Sequence, residues 1–364
     1  MNPSIDFKNR EHCRALISQI KKESTKQAVI MEVCGGHTMA LYRNGITALL
    51  PETIRMVSGP GCPVCVSDIR YIDHAIALAK RPDVIIATYG DLIRVPGSTS
   101  SLEKEKASGA AIIIVWSGLE AVDIAVRNPD KKVVFLGIGF ETTIPGTAIA
   151  VMEARKKKVE NFFALCSHKI MPPAMTALID EGVRIDAYLC PGHVSTVTGS
   201  AIYEPIVSNY GKPCVVAGFE PADILQSILM IVRQIEAGQP AVEIQYTRVV
   251  HREGNPKAQS LINEVFTPAD DWWRGLGVIP GSGLRLSDDY KKYDAAVMVP
   301  VTVEPTREAK GCICGSILKG LKYPADCPLF AKACTPDSPV GACMVSSEGA
   351  CAAFYQYGEY ASGV

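Results

Sequence analysis

Eight short apolar runs recur along the first two-thirds of the chain, each ending in a polar or glycine-bearing loop. The first four are "AVIMEV" before Cys34, "IRMV" before Ser58, "DVIIATYG" and "AAIIIVWSG". The pattern restarts with "KKVVFLGIGFETT", "NFFALCSHK", "IDAYLCPGHVS" and "KPCVVAGFEP". Stretches of helical period separate the runs, including "SDIRYIDHAIALAK", "GLEAVDIAVRN" and "ADILQSILMIVRQIEAG" with Gly238 as its stop. Strands alternating with helices predict βαβ units on parallel sheets. In such sheets the working loops lie beyond the carboxyl ends of the strands, where all the unusual loops of this chain fall.

At 364 residues the chain exceeds one ordinary core. The restart predicts two similar Rossmann-like α/β domains, residues 28–128 and 129–240, with the break near Asn128–Lys132. After about residue 240 turns replace clear periods, which predicts a third, irregular α+β domain from residues 241–364 and an amphipathic helix in residues 1–27. The net charge of -1 gives no electrostatic case for nucleic acid or a membrane surface. No apolar run reaches the roughly 18 residues of a membrane helix, and the charged N-terminus lacks a signal-peptide core. The expected compartment is the cytoplasm.

Thirteen cysteines in such a compartment point to metal or redox chemistry rather than structural disulfides. Six lie in the tail: Cys312, Cys314, Cys327, Cys334, Cys343 and Cys351. Zinc knuckles favour paired Cys-x2–4-Cys, which the tail lacks. One Cys-x-Cys with four spread partners suits an iron–sulfur cluster held by four thiolates, with two cysteines left for a redox pair. The bland alternative is structural zinc with two spare thiols. Cys13, Cys166, Cys190 and Cys214 are scattered and read as small core side chains.

Three more cysteines occupy glycine-rich loops. "EVCGGHT" sets Cys34 after a strand, with His37-Thr38 opening a helix whose dipole is expected to lower the thiol pKa. His37 is expected to add a hydrogen bond or accept a proton, or else to cap the helix. "GPGCPVC" places Cys62 and Cys65 after the next strand, adjacent to the first if the order is sequential. Convergence of Cys34, Cys62 and Cys65 would make a soft-metal site with an open position, or a closed Cys3His zinc site with His37. "GFETT", "CPGHVSTVTG" and "GFEPAD" offer Glu141, His193 and Glu220 as proton-transfer groups or hydrogen-bond partners at a cleft between the domains. Each carboxylate has helix capping as its alternative. There is no GxGxxG, Walker lysine or Gly-x-Ser-x-Gly, so nucleotide binding and serine hydrolysis lack support.

"CGGHT", "GPGCPVC", "TYGDLIRVPG", "GFETT", "PGHVS.V.G", "GFEP.DIL", "RGLG.IP.SGL" and the cysteine tail, in this order over nearly the whole chain, resemble the HypD family of [NiFe]-hydrogenase maturation proteins. The resemblance implies two similar α/β domains and a third carrying a [4Fe–4S] cluster. It also implies a scaffold that binds iron with a HypC-like chaperone, and on which the Fe(CN)2CO unit is assembled. A HypE-like protein, with HypF upstream, would supply the cyanide. Cys34 would be the iron-binding thiolate, shared with the chaperone. Cys62 and Cys65 would be iron ligands or a redox couple. The tail is similar to ferredoxin:thioredoxin reductase, which implies Cys312, Cys327, Cys334 and Cys351 as cluster ligands and Cys314 with Cys343 as the redox pair.

Relatives commonly carry a proline soon after the second cysteine of "GCPVC". This chain reads "VSDIR", a helix-start sequence at Ser67-Asp68. The expected protein is a monomer within a hetero-complex and an assembly scaffold with redox activity rather than a turnover enzyme. A cluster-fed thiol–disulfide reductase and a zinc-stabilised interaction module are the competing classes.

Overall fold

In the computed structural model, which describes residues 9–358, the apolar runs form strands of two sheets. The strands are β1 (Ala28–Glu32), β2 (Ile54–Ser58), β3 (Val84–Thr88), β4 (Ile112–Ile114), β5 (Lys132–Gly139), β6 (Phe162–Lys169), β7 (Ala187–Pro191), β8 (Cys214–Ala217), β9 (Val242–Ile244), β10 (Phe266–Trp273) and β11 (Gly277–Leu286). β1, β3 and β7 are buried at every position. That is why they read as continuous apolar runs: a parallel sheet covered on both faces has no solvent side to alternate toward.

The first sheet runs β2-β1-β7-β8-β9, all parallel. The second runs β10-β11-β6-β5-β3-β4. Its β4, β3, β5 and β6 are parallel, and the β10–β11 hairpin is added antiparallel at the β6 edge. The α/β class with parallel sheets is as expected from the sequence.

The sequential division at 128/129 is not how the strands are shared. The chain lays β1 and β2 in the first sheet and β3 to β6 in the second. It then returns to the first for β7 to β9 and leaves again for β10 and β11. Periodicity marks where strands lie, but a helical crossover serves equally to return to a sheet or to leave it, so membership was not legible.

The tail does not stand apart as a third body. Cys314, Cys334, Cys343 and Cys351 are buried in the same apolar cluster as Met31 of β1 and Leu136 of β5. The N-terminal helix, Arg10–Glu23, packs on Pro221–Ala237 of the first sheet rather than joining the tail. Arg233 Nε pairs with Glu23 at 2.8 Å, and Glu236 accepts from the Thr25 amide at 2.7 Å.

Each sheet has a point where strand order reverses, and there neighbouring loops part to leave a crevice. In the first sheet it lies between β1 and β7, the strands that precede Cys34 and His193. In the second it lies between β3 and β5, the strands that precede Asp91 and Glu141.

Candidate functional site at Cys34 and the cysteine tail

Cys34 is the N-cap of the Gly35–Arg43 helix, directly after β1. Glu32, at the end of β1 and 1% exposed, holds this turn. Its carboxylate accepts from the Cys34 amide at 3.0 Å and from the Thr38 hydroxyl at 2.5 Å. Burial pushes the Glu32 carboxyl up to about 8, against the pull of these hydrogen bonds.

The expected lowering of the Cys34 pKa is not what the structure gives. Burial, then the neighbouring Glu348 and Glu32 carboxyls, push the thiol up to about 12, while hydrogen bonding by the His37 and Gly36 backbone pulls it down. A short helix contributes a fraction of a charge, and desolvation of an anion outweighs it. The thiol therefore carries its proton at neutral pH until a cation replaces it.

The "GPGCPVC" loop lies against Cys34, as the sequential β1–β2 pairing implies. The Gly35 amide donates to the Gly61 carbonyl at 3.0 Å. A Cβ on Gly61 would stand 2.1 Å from the Cys34 nitrogen, so only glycine allows this approach. Cys62 caps the Pro63–Val66 helix, its sulfur accepting from the Cys65 amide at 3.2 Å. Cys62 and Cys65 are joined by a disulfide, and both are buried. Asp68 then caps the Ile69–Ala79 helix, accepting from the Arg70 amide at 2.8 Å, as its helix-start sequence predicts.

His37 is buried. Its Nε2 is 3.0 Å from the Gly218 carbonyl, and its Nδ1 has no partner. Burial lowers its pKa to about 4, so the ring is neutral, and with Nε2–H donating to Gly218 the Nδ1 lone pair is unused. Its role is to tie the Cys34 helix to the loop after β8 rather than to cap. Phe219 stacks on His37 at 4.7 Å between ring centres and on His193 at 4.0 Å.

His193 and Glu220 line one groove with Gly36, Phe219, Glu348 and Arg43, which brings two of the three predicted polar residues beside the Cys34 helix. Glu220 is also the N-cap of Pro221–Ala237, its amide donating to Asp223 at 3.2 Å, so the capping role applies. Glu141 does not join them. It follows β5 in the other sheet, buried, with Oε1 accepting from the Met171 amide at 3.0 Å and Oε2 unpartnered. Burial raises it to about 7. Its separation follows from the strand sharing described above.

The tail reaches both stations. The Ala342–Met344 turn, carrying Cys343, packs on Pro63–Val66, which carries Cys65. The Ala350–Tyr357 helix, carrying Cys351, packs on Gly35–Arg43, with Tyr42 and Phe354 edge to face at 5.5 Å. Ser346 donates to Asp91 of the second sheet at 2.7 Å.

Cys312, Cys314, Cys327, Cys334 and Cys351 line one apolar pocket with Ile317, Phe330 and Met344. Cys312 and Cys314 sulfurs are 3.2 Å apart, and the free Cys314 thiol also feels those of Cys343 and Cys351. The contact between these two sulfurs lowers the Cys312 pKa and raises that of Cys314. A Cβ on Gly341 would fall 2.5 and 2.7 Å from the Cys314 and Cys312 sulfurs, so the glycine keeps this space open.

An all-thiol, apolar cradle fits an iron–sulfur cluster in donor chemistry. The sulfurs are nevertheless gathered by thiol–thiol contacts, and among the described residues no group of three or more His, Cys, Asp or Glu is arranged to hold a metal ion. Cys190 and Cys214, read as small core side chains, are buried free thiols on the neighbouring strands β7 and β8.

Sequence reasoning missed Glu32, Glu348 and Phe219. Glu32 had a signal, since an acid inside the buried run "AVIMEV" needs partners. Glu348 had none, because only the folded tail brings it against Gly35, where a Cβ would stand 2.5 Å from its side chain.

The HypD family model, described as the hydrogenase formation hypA family, matches residues 11–358. The chain is 47% identical to hydrogenase maturation factor HypD2 of Bradyrhizobium diazoefficiens, over 99% of this chain and 98% of that protein. It is 46% identical to hydrogenase maturation factor HypD of Cupriavidus necator, over 98% and 97% of the two chains. A putative hydrogenase expression/formation protein of Methanocaldococcus jannaschii is also 46% identical, over 97% and 99%. No described helix is long and apolar enough to cross a membrane. With matches at this identity along nearly the full length of the chain, the chain belongs to the HypD family of hydrogenase maturation factors.

Proposed function

We propose that this protein is the scaffold on which the iron fragment of a hydrogenase centre, Fe(CN)2CO, is put together. Iron is the cargo, held by Cys34 together with a thiolate of a small HypC-like chaperone. Cyanide arrives from a HypE-like donor supplied by HypF. The observation that carries this reading is the contact between two stations: the backbone of Gly61, beside the Cys62–Cys65 disulfide, lies against Cys34 at a strand-order reversal. Iron binding at Cys34 releases the thiol proton, since a protonated thiol is not a ligand. Glu32 fixes the turn through the Cys34 amide, and the Gly36 and His37 backbone groups receive the sulfur's charge.

Cys312, Cys327, Cys334 and Cys351 are the residues proposed to hold a [4Fe–4S] cluster, with Cys314 and Cys343 as the dithiol beside it. A bound cluster supplies single electrons. Reduction of the Cys62–Cys65 disulfide takes two electrons and two protons and leaves two thiols. The packing of the Ala342–Met344 turn on Pro63–Val66 supports a short path between the two pairs. The protein works in this picture as a cytoplasmic monomer within a hetero-complex.

Burial of Cys62 and Cys65, 3% and 0% exposed, speaks against a free-standing reductase of other proteins, because exchange needs an accessible sulfur. The test is complementation of a strain lacking its own copy. Cys34→Ala should abolish hydrogenase maturation while visible absorbance near 400 nm from the tail is retained. Full maturation by that variant removes Cys34 from the iron site. A colourless, zinc-loaded protein after anaerobic purification would favour the interaction module instead.

A further inference from the structure

Arg274 is a cation at the tip of the β10–β11 hairpin, directly after β10, and is only 8% exposed. Its amide donates to the Val66 carbonyl at 3.0 Å and its Nε to the Ser67 carbonyl at 3.2 Å, which fixes the side chain on the turn that follows Cys65. The next residue, Gly275, presses backbone to backbone on Gly315, since a Cβ there would stand 2.2 Å from the Gly315 Cα. The hairpin tip is thereby held between the disulfide turn and the Cys312–Cys314 pair, and Arg274 walls one pocket with both of those cysteines. A guanidinium keeps its charge in a protein, and burying that charge is costly without a counter-charge. The Nη2 group is sealed from solvent and has no hydrogen-bond partner, so a diffusible ion does not reach it. The counter-charge has to come from the protein's own groups. The Cys312 sulfur feels this cation: its thiol pKa is pulled down by contact with the Cys314 sulfur and further by the Arg274 charge, against burial and the exposed Glu308. A neutral thiol supplies no counter-charge, whereas a thiolate of a four-thiolate cluster does.

We propose that Arg274 is the fixed counter-cation of the tail cluster, a positioning residue that acts through Cys312 and favours the reduced state. This rests on the tail holding a [4Fe–4S] cluster, and it does not depend on iron binding at Cys34. Reduction takes one electron from an external one-electron donor and moves no atom. The cluster gains one negative charge, which a nearby fixed cation stabilises, and net charge around a cluster is one of the terms that set its potential. Because Arg274 is also fixed on the turn after Cys65, its charge lies toward the disulfide that these electrons are proposed to reduce.

The experiment is a potentiometric titration of full-length protein purified anaerobically, with dithionite as reductant and redox mediators. The cluster is followed by its electron paramagnetic resonance signal and its absorbance near about 400 nm. Arg274→Gln should lower the midpoint, changing the reduced-to-oxidised ratio at a fixed potential by about tenfold, which is about 59 mV for one electron. Arg274→Lys keeps the charge and should stay near the wild-type midpoint. Glu308→Gln removes an opposing charge from the exposed rim and should move the midpoint the other way. A purely structural role for Arg274 would change cluster content or stability and leave the midpoint in place. If Arg274→Gln fails to fold or to hold the cluster, the other two variants decide. The charge account then requires Arg274→Lys to match wild type and Glu308→Gln to rise, and either failure overturns it. An equal midpoint in wild type and cluster-loaded Arg274→Gln overturns the proposal alone. Wild-type protein without the cluster band removes the cluster assignment, and the proposal with it.

Discussion

Cys34 sits where a helix begins, yet its proton is held by surroundings that a helix end does not overcome: burial, Glu348 and Glu32. Replacing Glu348 by Gln removes the second of these and should increase metal-free thiolate, read as faster alkylation of Cys34 at fixed pH. An unchanged or slower rate would show that Glu348 does not act on this sulfur. Glu32 makes a separate prediction through stability. Its folded pKa, about 8, lies above the 4.5 of an unperturbed glutamate. Between those values the unfolded chain releases a proton that the folded protein keeps, so stability falls as pH rises through the window. The slope approaches ~1.4 kcal/mol per pH unit for one such group. Glu32→Gln should flatten it in denaturant titrations between pH 5 and 8, leaving the part due to Glu141, whose folded value of about 7 acts in the same direction. A slope identical to wild type would remove Glu32 as a buried acid. Cys34, Cys62 and Cys65 were legible because chemistry and glycine spacing mark them. Glu348 was not, since Gly35, against which it packs, lies hundreds of residues away in sequence.

At the scale of elements, two loops meet because β1 and β2 are consecutive and paired, and this was readable from the order of the strands. The contact is closed by glycine. Gly61→Ala would drive a methyl group into the Cys34 backbone, which neither side can vacate without shifting β1 or the Pro63–Val66 helix. We expect destabilisation of about 1–3 kcal/mol by urea unfolding and impaired maturation. A neutral result would mean the two loops are not locked together. The sharing of strands between sheets was illegible for a physical reason: fully buried strands carry the same apolar run whichever neighbour they take. That is also why Glu141 was expected beside His193 and instead follows β5 of the other sheet.

For the whole molecule, the consequence of a shared core is cooperativity. The tail cysteines pack with strands of both sheets, and the chain crosses between the sheets three times, so neither sheet is a contiguous segment that could be cut out intact. Removal of residues 312–364 should therefore leave no protease-resistant two-sheet remnant. A stable, soluble fragment would show that the tail is an appendage. Cys327→Ala should lose the visible absorbance assigned to the tail cluster, whereas Cys34→Ala should not. The same coupling places Cys34, the disulfide and the tail thiols in one packed assembly, and the central proposal is that Cys34 and the tail form two distinct iron stations in one chain. The most direct measurement is iron content, with Mössbauer spectra, of the 57Fe-labelled protein purified anaerobically with its chaperone. The account predicts about five irons per chain in the wild type, about four in Cys34→Ala with the cluster signal unchanged, and about one in Cys327→Ala. Equal iron content and identical spectra in wild type and Cys34→Ala would contradict it.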